Sequence, residues 1–484
     1  MSLRLFIAAV CCTLAGPIWS QPASSPSDSS VVVSLDQFYG EILRYHPIVK
    51  QIRLLSETAR QEVRLARGAF DPKVEVKWNA KEFNDKEYYN KSTAYLQLPS
   101  WFPVDPKIGV DQNSGAFIDP ENTVPQSDNY RQVFTGVSLP LGRGLFTDDR
   151  RAALQQAKLF TRLTEAEQTK LINKILLEAA KEYWQWYYAF NNYQFLRRSV
   201  GLAQEIYRRV KLDAELGEAS GIDTVQAHIT LQQRLVERQE WFLELQNAEI
   251  RVSNYLWDGE ERPVALTSKA MPVMSIDAED LLSVESMQQL ADQAREHHPE
   301  LRKLSIKLQQ LDVERKLARE YLKPRMDLSY NFLNQPLRPS GEWQAFSLGT
   351  NYKIGVDFSF PLFLRKERAK LGQTQIKIRS TELERSQTER EILNQIQQVH
   401  NQLVNTRALL GYQSEVVKNY ERILEAEMLN LNNGESDVFK INVQQEKLIV
   451  SQSKLLKLKS EYQKLRATLY WAAGVSNLSY SAAP

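Results

Sequence analysis

The sequence predicts an α+β fold built from one unit written twice, each unit an opening helix, a β-hairpin and a long helical hairpin. Three observations predict it: an ungapped internal repeat, alternating apolar and polar residues just after the opening helix in each copy, and two very long proline-free runs with helical periodicity. A repeat on this scale is read first, because each copy is one structural unit and the fold is the way the units close on each other.

Laying Asp36 to Val76 over Gln288 to Leu328 sets His46-Pro47 on His298-Pro299, Leu65-Ala66-Arg67 on Leu317-Ala318-Arg319 and Pro72 on Pro324. Apolar positions coincide as well: Phe38 with Leu290, Val49 with Leu301, Ile52 with Leu304. The opening helices are expected over about 35–69 and 284–321, stopped where Pro72 and Pro324 cannot continue a helix.

Strands follow at once. Val74, Val76, Trp78 and Ala80 alternate with lysines, Glu75 and Asn79, and Met326, Leu328, Tyr330 and Phe332 alternate with Asp327, Ser329 and Asn331. Returning strands are read at 131–140 and 346–361, each ending in Pro-Leu, against outgoing strands at 72–83 and 325–333. Between the first pair lies an insertion, 84–129, rich in Pro, Asn and Asp. Its Tyr95-Leu96-Gln97-Leu98 and Lys107-Ile108-Gly109-Val110 are read as an additional hairpin, expected at the mouth of a barrel.

No proline occurs from Leu141 to Arg262 or from Leu362 to Ser481, and apolar residues recur there at three and four, as in Ile172, Ile175, Leu176, Ala179 and Tyr183. That is a coiled-coil-like seam. Each run is interrupted by glycine in a polar setting, Leu216-Gly217-Glu218 and Asn433-Gly434-Glu435, giving helix pairs 147–216 with 222–257 and 365–433 with 437–473. Ser220 with Asp223 reads as a capping box for the second helix of the first pair. The longer members would be rods of about 105 Å. The first structural repeat is thus 34–257 and the second 284–475, joined by a linker at 258–283 and followed by a tail, 476–484.

Residues 1–20 carry Arg4, the apolar run Leu5 to Leu14, Gly16-Pro17 and Ser20, the layout of a secretory signal peptide, followed by a flexible segment, 21–33. Both cysteines, Cys11 and Cys12, lie in that leader, so the exported chain is expected to have no disulfide, no thiolate metal site and no lipid anchor. With 43% hydrophobic and 25% charged residues and a net charge of +2, nothing suggests nucleic acid as a partner. Beyond the leader no apolar run reaches the ~18 residues of a membrane helix, so any crossing must use strands.

Four strands per chain cannot close a membrane barrel, which needs about eight. Several chains must share one, and three would supply twelve strands. Trp78, Trp101, Tyr130, Phe134, Trp343, Tyr352 and Phe363 at the strand ends suit interfacial girdles, ordinary core filling being the other reading.

The order leader, helix, hairpin, long helix, glycine turn and shorter helix, repeated, resembles the TolC-like outer-membrane efflux proteins over nearly the whole exported chain. The matching motifs are Ala66 to Pro72 and Ala318 to Pro324, the Val-Ser-Leu-Pro-Leu strand end at 137–141, Arg150-Arg151-Ala152, and Leu216-Gly217 with Ile222-Asp223-Thr224-Val225. The resemblance implies a homotrimer: a twelve-stranded barrel in outer-membrane lipid, continued by a periplasmic helical tunnel. It implies a periplasmic adaptor at the tunnel's tip, an inner-membrane pump or ABC transporter as energy source, and passive export through the channel. Leu216, Gly217, Glu218, Gly434 and Glu435 would be the adaptor-facing tips. Asp223, Asp437 and Lys440 are candidates for the periplasmic aperture. Here the sequence departs from the family pattern, with Lys440 and Val443 where aspartates are common, so a mixed ring of Asp437 and Lys440 is expected.

Two other outcomes are weighed: the outer-membrane part of a type I protein secretion system, and a periplasmic coiled-coil protein without a pore. Catalysis is not expected. His46, His228, His297, His298 and His400 have no metal-ligand spacing, no phosphate loop or GxSxG occurs, and neither a metal nor a cofactor is implied.

Overall fold

The computed structural model of the chain describes residues 31–118, 131–217, 220–267, 269–273, 284–333, 350–433 and 435–475. The leader, most of segment 21–33, part of the linker and the tail lie outside the described residues, as do Glu218 and Gly434 of the tips, Tyr130 and Trp343. In chain order the elements are β1 (Val31–Val33), α1 (Leu35–Tyr45), α2 (Pro47–Arg67), β2 (Lys73–Phe83), β3 (Lys86–Gln97), β4 (Asp105–Ser114), β5 (Arg131–Pro140), α3 (Asp149–Glu215), α4 (Gly221–Ser253), β6 (Ala270–Pro272), α5 (Val284–His297), α6 (Pro299–Glu320), β7 (Arg325–Leu333), β8 (Tyr352–Ser359), α7 (Arg365–Asn432) and α8 (Val438–Ala472).

Each opening helix is two helices, not the single one read from sequence. A residue before proline is pushed out of the helical region, and His46 (φ −63°, ψ 129°) and His298 (φ −58°, ψ 128°) are both extended. The break is made useful twice in the same way. Pro47 and Pro299 open the next helix, where a missing N–H costs nothing, and the histidine Nδ1 accepts a hydrogen bond from the N–H of Ile48 or Glu300, at 3.2 Å in each copy. The repeated His-Pro is therefore a helix cap. Ser34 and Gln37 cap α1 with a reciprocal box.

The sheet corrects the count of four strands per chain. It has six, in the order β2-β3-β4-β5-β7-β8, antiparallel throughout. The insertion supplies two of them, β3 and β4, placed between the two strands read as the first hairpin. Asn84 (φ 52°) and Asp85 (φ 54°) make the β2–β3 connection, the two left-handed residues that a tight right-twisted hairpin requires. The β3–β4 connection does not lie at a distal mouth. It returns to the helical end, where Trp101 stacks on Phe70 at 4.7 Å and Arg150 of α3 pairs with Asp105 at 3.2 Å.

Below the sheet, α3 and α7, of 67 and 68 residues, run about 100 Å at 1.5 Å per residue. Their partners α4 and α8 fold back along them. One core cluster is aromatic, with Phe38, Tyr39, Tyr183, Trp184, Trp186, Tyr187 and Phe190; the other is an aliphatic seam through α7 and α8. A small parallel pair, β1 with β6, closes over the aromatic cluster. Tyr183 fixes it: its hydroxyl donates to the Val33 carbonyl at 2.8 Å and accepts from the Val273 N–H at 3.3 Å. Burial pushes its pKa up to about 12, so it stays a donor.

Burial also holds the His298 imidazole neutral, its pKa lowered from 6.5 to about 4, with Glu300 opposing and Lys170 assisting the shift. His46 is shifted the same way by burial. In the unfolded chain the group takes up its proton near 6.5, in the folded chain only near 4, so its stabilisation is full above pH 6.5 and lost as pH falls towards 4. Denaturant titrations should show this fall, and His298→Asn, which can still cap the helix, should flatten it. Tyr183→Phe should cost about 1–3 kcal/mol by orphaning the Val33 carbonyl and the Val273 N–H.

Candidate functional site: a two-faced sheet and the helix tips

Residues directly across a ladder share a face. One register row therefore runs Val74, Leu96, Ile108, Thr135, Phe332, Tyr352 across all six strands, and the row beside it on the opposite face runs Lys73, Gln97, Lys107, Gly136, Asn331, Lys353. Neighbouring rows keep the contrast: Val137, Tyr330 and Ile354 on the first face, Glu75, Tyr95 and Gly109 on the second. The apolar face is bare. Val74 is 73% exposed, Trp78 69%, Val356 60% and Phe358 67%.

The polar face is the concave one, and glycines show it. A Cβ on Gly136 would stand 2.2 Å from Asn331 Oδ1, one on Gly109 2.5 Å from the Phe134 ring, and one on Gly355 2.8 Å from Ser329 Oγ. All three crowd on the polar side, where curvature brings side chains together. Phe134 itself lies on this face, 7% exposed, so it fills the concavity and is not an interfacial aromatic. Trp78 and Tyr352 do sit on the convex face, while Trp101 is spent on Phe70. At the helical end Phe102, Phe146, Leu362 and Phe363 are 70–85% exposed, an apolar fringe beneath the convex face.

At the far end of the rods Gly217 takes φ +80°, ending the α3 turn, with Leu216 67% exposed. Ser220 and Asp223 form the capping box of α4, the Asp223 carboxylate accepting from the Ser220 N–H at 3.3 Å. In the second tip the Glu435 N–H donates to the Asn430 carbonyl at 2.8 Å. Asp437 caps α8, accepting from the Lys440 N–H at 2.8 Å, and its other oxygen lies 3.8 Å from Lys440 Nζ. Both members of the expected mixed pair are thus engaged with each other inside one chain.

Sequence reading missed two features of α4. Arg234 on α4 is 2% exposed, its Nη1 donating to both Glu237 oxygens at 2.7 Å and its Nη2 to Glu446 of α8 at 2.5 Å. It ties the two returning helices together. The other is a stripe of exposed apolar residues on α4, Ile222, Ile229, Val236, Leu243 and Ile250, 48–66% exposed and seven residues apart. The spacing was the signal; a heptad stripe facing solvent asks for another helix. Among the described residues no helix is long and apolar enough to cross a membrane, and no group of three His, Cys, Asp or Glu could hold a metal.

Arg234→Ala should leave the chain folded but speed amide exchange in the facing parts of α4 and α8 about tenfold, by freeing one helix from the other. Unchanged exchange would mean the buried pair holds nothing.

Residues 290–475 match the family described as Outer membrane efflux protein. No curated protein sequence matches the chain. Among solved structures, the Campylobacter jejuni CmeC outer membrane channel superposes with a TM-score of 0.61 at 14% identity, covering 91% of this chain and 85% of that one. The outer membrane protein VceC of Vibrio cholerae gives 0.60 at 15%, covering 91% and 96%, and the open state of the Neisseria gonorrhoeae MtrE channel 0.63 at 13%, covering 91% and 89%. The second repeat thus carries an outer membrane efflux protein match, and the chain shares its fold, along both repeats, with these outer-membrane channels.

Proposed function

We propose that the chain is the outer-membrane channel of a tripartite efflux system, assembling as a homotrimer that spans the outer membrane and crosses the periplasm. The observation that carries this is the sheet, bare and apolar on its convex side, polar on its concave side and, among the described residues, open at both edges, β2 and β8. Backbone edges cannot be left unpaired in hydrocarbon, and six strands are too few to close alone. Three copies, the number the resemblance implies, bring eighteen strands, within the size range that leaves an aqueous lumen. That replaces the twelve expected from four strands per chain. The convex face meets lipid, and the exposed Phe102, Phe146 and Phe363 suit the inner boundary of the membrane.

The heptad stripe on α4 is then the seam for a neighbouring copy, so that the helical hairpins of three chains enclose a tunnel. Leu216, Gly217 and Glu435, with Glu218 and Gly434, are the proposed contacts for a periplasmic adaptor. Solvent-facing Leu212, Ile222, Val225 and Phe439 enlarge that surface. Asp223, Asp437 and Lys440 line the aperture in this reading, and Arg234 holds α4 on α8 behind it. The channel catalyses nothing; an inner-membrane pump supplies the energy and solutes leave passively.

Val236→Glu should abolish the trimer in detergent, with Ile229→Glu doing the same, while each monomer keeps its helical circular dichroism. Size-exclusion with light scattering reads this directly. Detergent-independent monomers or dimers of the unaltered chain would overturn the reading.

A further inference from the structure

The polar face of the sheet is unevenly charged, and resting on the channel reading above we infer that it forms a cationic belt that takes anionic solutes. The row Lys73, Gln97, Lys107, Gly136, Asn331, Lys353 crosses all six strands with three lysines and no carboxylate. Lys77 lies four residues beyond Lys73 along β2 on the same face, and the Lys107 ammonium is within electrostatic reach of both Lys77 and Lys353. Lys107 and Lys353 are three strands apart, about 14 Å on a flat sheet. Curvature towards the polar side and the small Gly136 between them bring their charges together.

The carboxylates on this face do not cancel the belt. Asp105 is held by Arg150 at 3.2 Å and Asp327 by Arg325 at 2.6 Å, with Asp357 beside Arg325 at the helical end, while the neutral Tyr95 hydroxyl that donates to Glu75 offsets no charge there. Asp111 is the one that faces Lys107. Against Glu75 and Asp111 stand Lys73, Lys77, Lys107 and Lys353, so the belt is net positive. Lys107 comes from the inserted hairpin, which therefore contributes a charge to the wall as well as two strands. Three copies of the row set nine lysines around one lumen, and a ring of fixed cations with low-dielectric walls concentrates anions and repels cations. The solute class that fits is carboxylate, sulfate or phosphate-bearing small molecules.

The test uses the full-length trimer in planar lipid bilayers with a KCl gradient, reading the reversal potential. Chloride should permeate better than potassium. Replacing Lys73, Lys107 and Lys353 together by Gln should lower the chloride-to-potassium permeability ratio by about threefold or more, while the triple Arg variant keeps it. A Gln variant with the unaltered reversal potential, or a cation-preferring parent channel, overturns the belt and leaves the channel reading intact. Assembled trimers that conduct nothing overturn both. Separately, a charged thiol reagent should change the conductance of Lys107→Cys and leave that of Ile108→Cys unaltered; the reverse pattern would put the lysine row on the wrong side of the wall.

Discussion

A sheet that cannot satisfy its own edges governs this molecule. The strands β3, β4, β5 and β7 each pair with a neighbour on both sides, whereas among the described residues β2 and β8 each present one unpaired row. In water such edges can be solvated; with the bare face carrying Val74, Val76, Trp78, Ile354, Val356 and Phe358 placed in hydrocarbon, as proposed, they cannot be, because no water reaches them there. In the proposed channel, closure by further copies follows from that one constraint. The helical rods inherit it, since each copy that adds strands also adds two helical hairpins beneath them.

The joint between sheet and rods is built to transmit position. Leu141 and Arg143, just past β5, donate backbone hydrogen bonds to the Met326 and Pro324 carbonyls at 2.7 and 2.9 Å, locking the two repeats at the base of the sheet. Arg143 then stacks on Tyr321 at 3.3 Å, and Tyr321 reaches Asp149 in the first turn of α3 at 2.7 Å. The β3–β4 connection adds Asp105 to Arg150 and Trp101 to Phe70. An inserted hairpin is thus tied to the helix that carries the first tip, about 100 Å away along α3.

Much of this was legible in the chain. The duplication, the long proline-free helices and the glycine turn at Gly217 carry strong local signals, because proline and glycine act through backbone sterics that tertiary context seldom overrides, yet the break at each His-Pro, open to the same argument, was read through as one helix. The strand pattern of β2, β7 and β8 was legible because apolar and polar side chains alternate between the two faces of the sheet. The inserted strands were harder. On β3 the convex positions Asn90 and Ser92 are polar and the concave ones include Tyr89 and Tyr95, so alternation fails for half its length, and the place of the hairpin inside the sheet depends on pairing across more than 20 residues. Asn84-Asp85 was the available clue. Arg234 was invisible, since a lone arginine on a charged helix gives no sign of being buried, and the capping of α8 by Asp437 was not read from the three-residue step to Lys440.

The most direct test of the central claim is a cryo-electron microscopy cross-section of the protein in lipid nanodiscs at the level of the sheet. The account requires one closed wall of eighteen strands, with β3 and β4 of every copy inside it. A twelve-stranded wall with the inserted hairpin folded outside, or a sheet lying open beside the lipid, would contradict it.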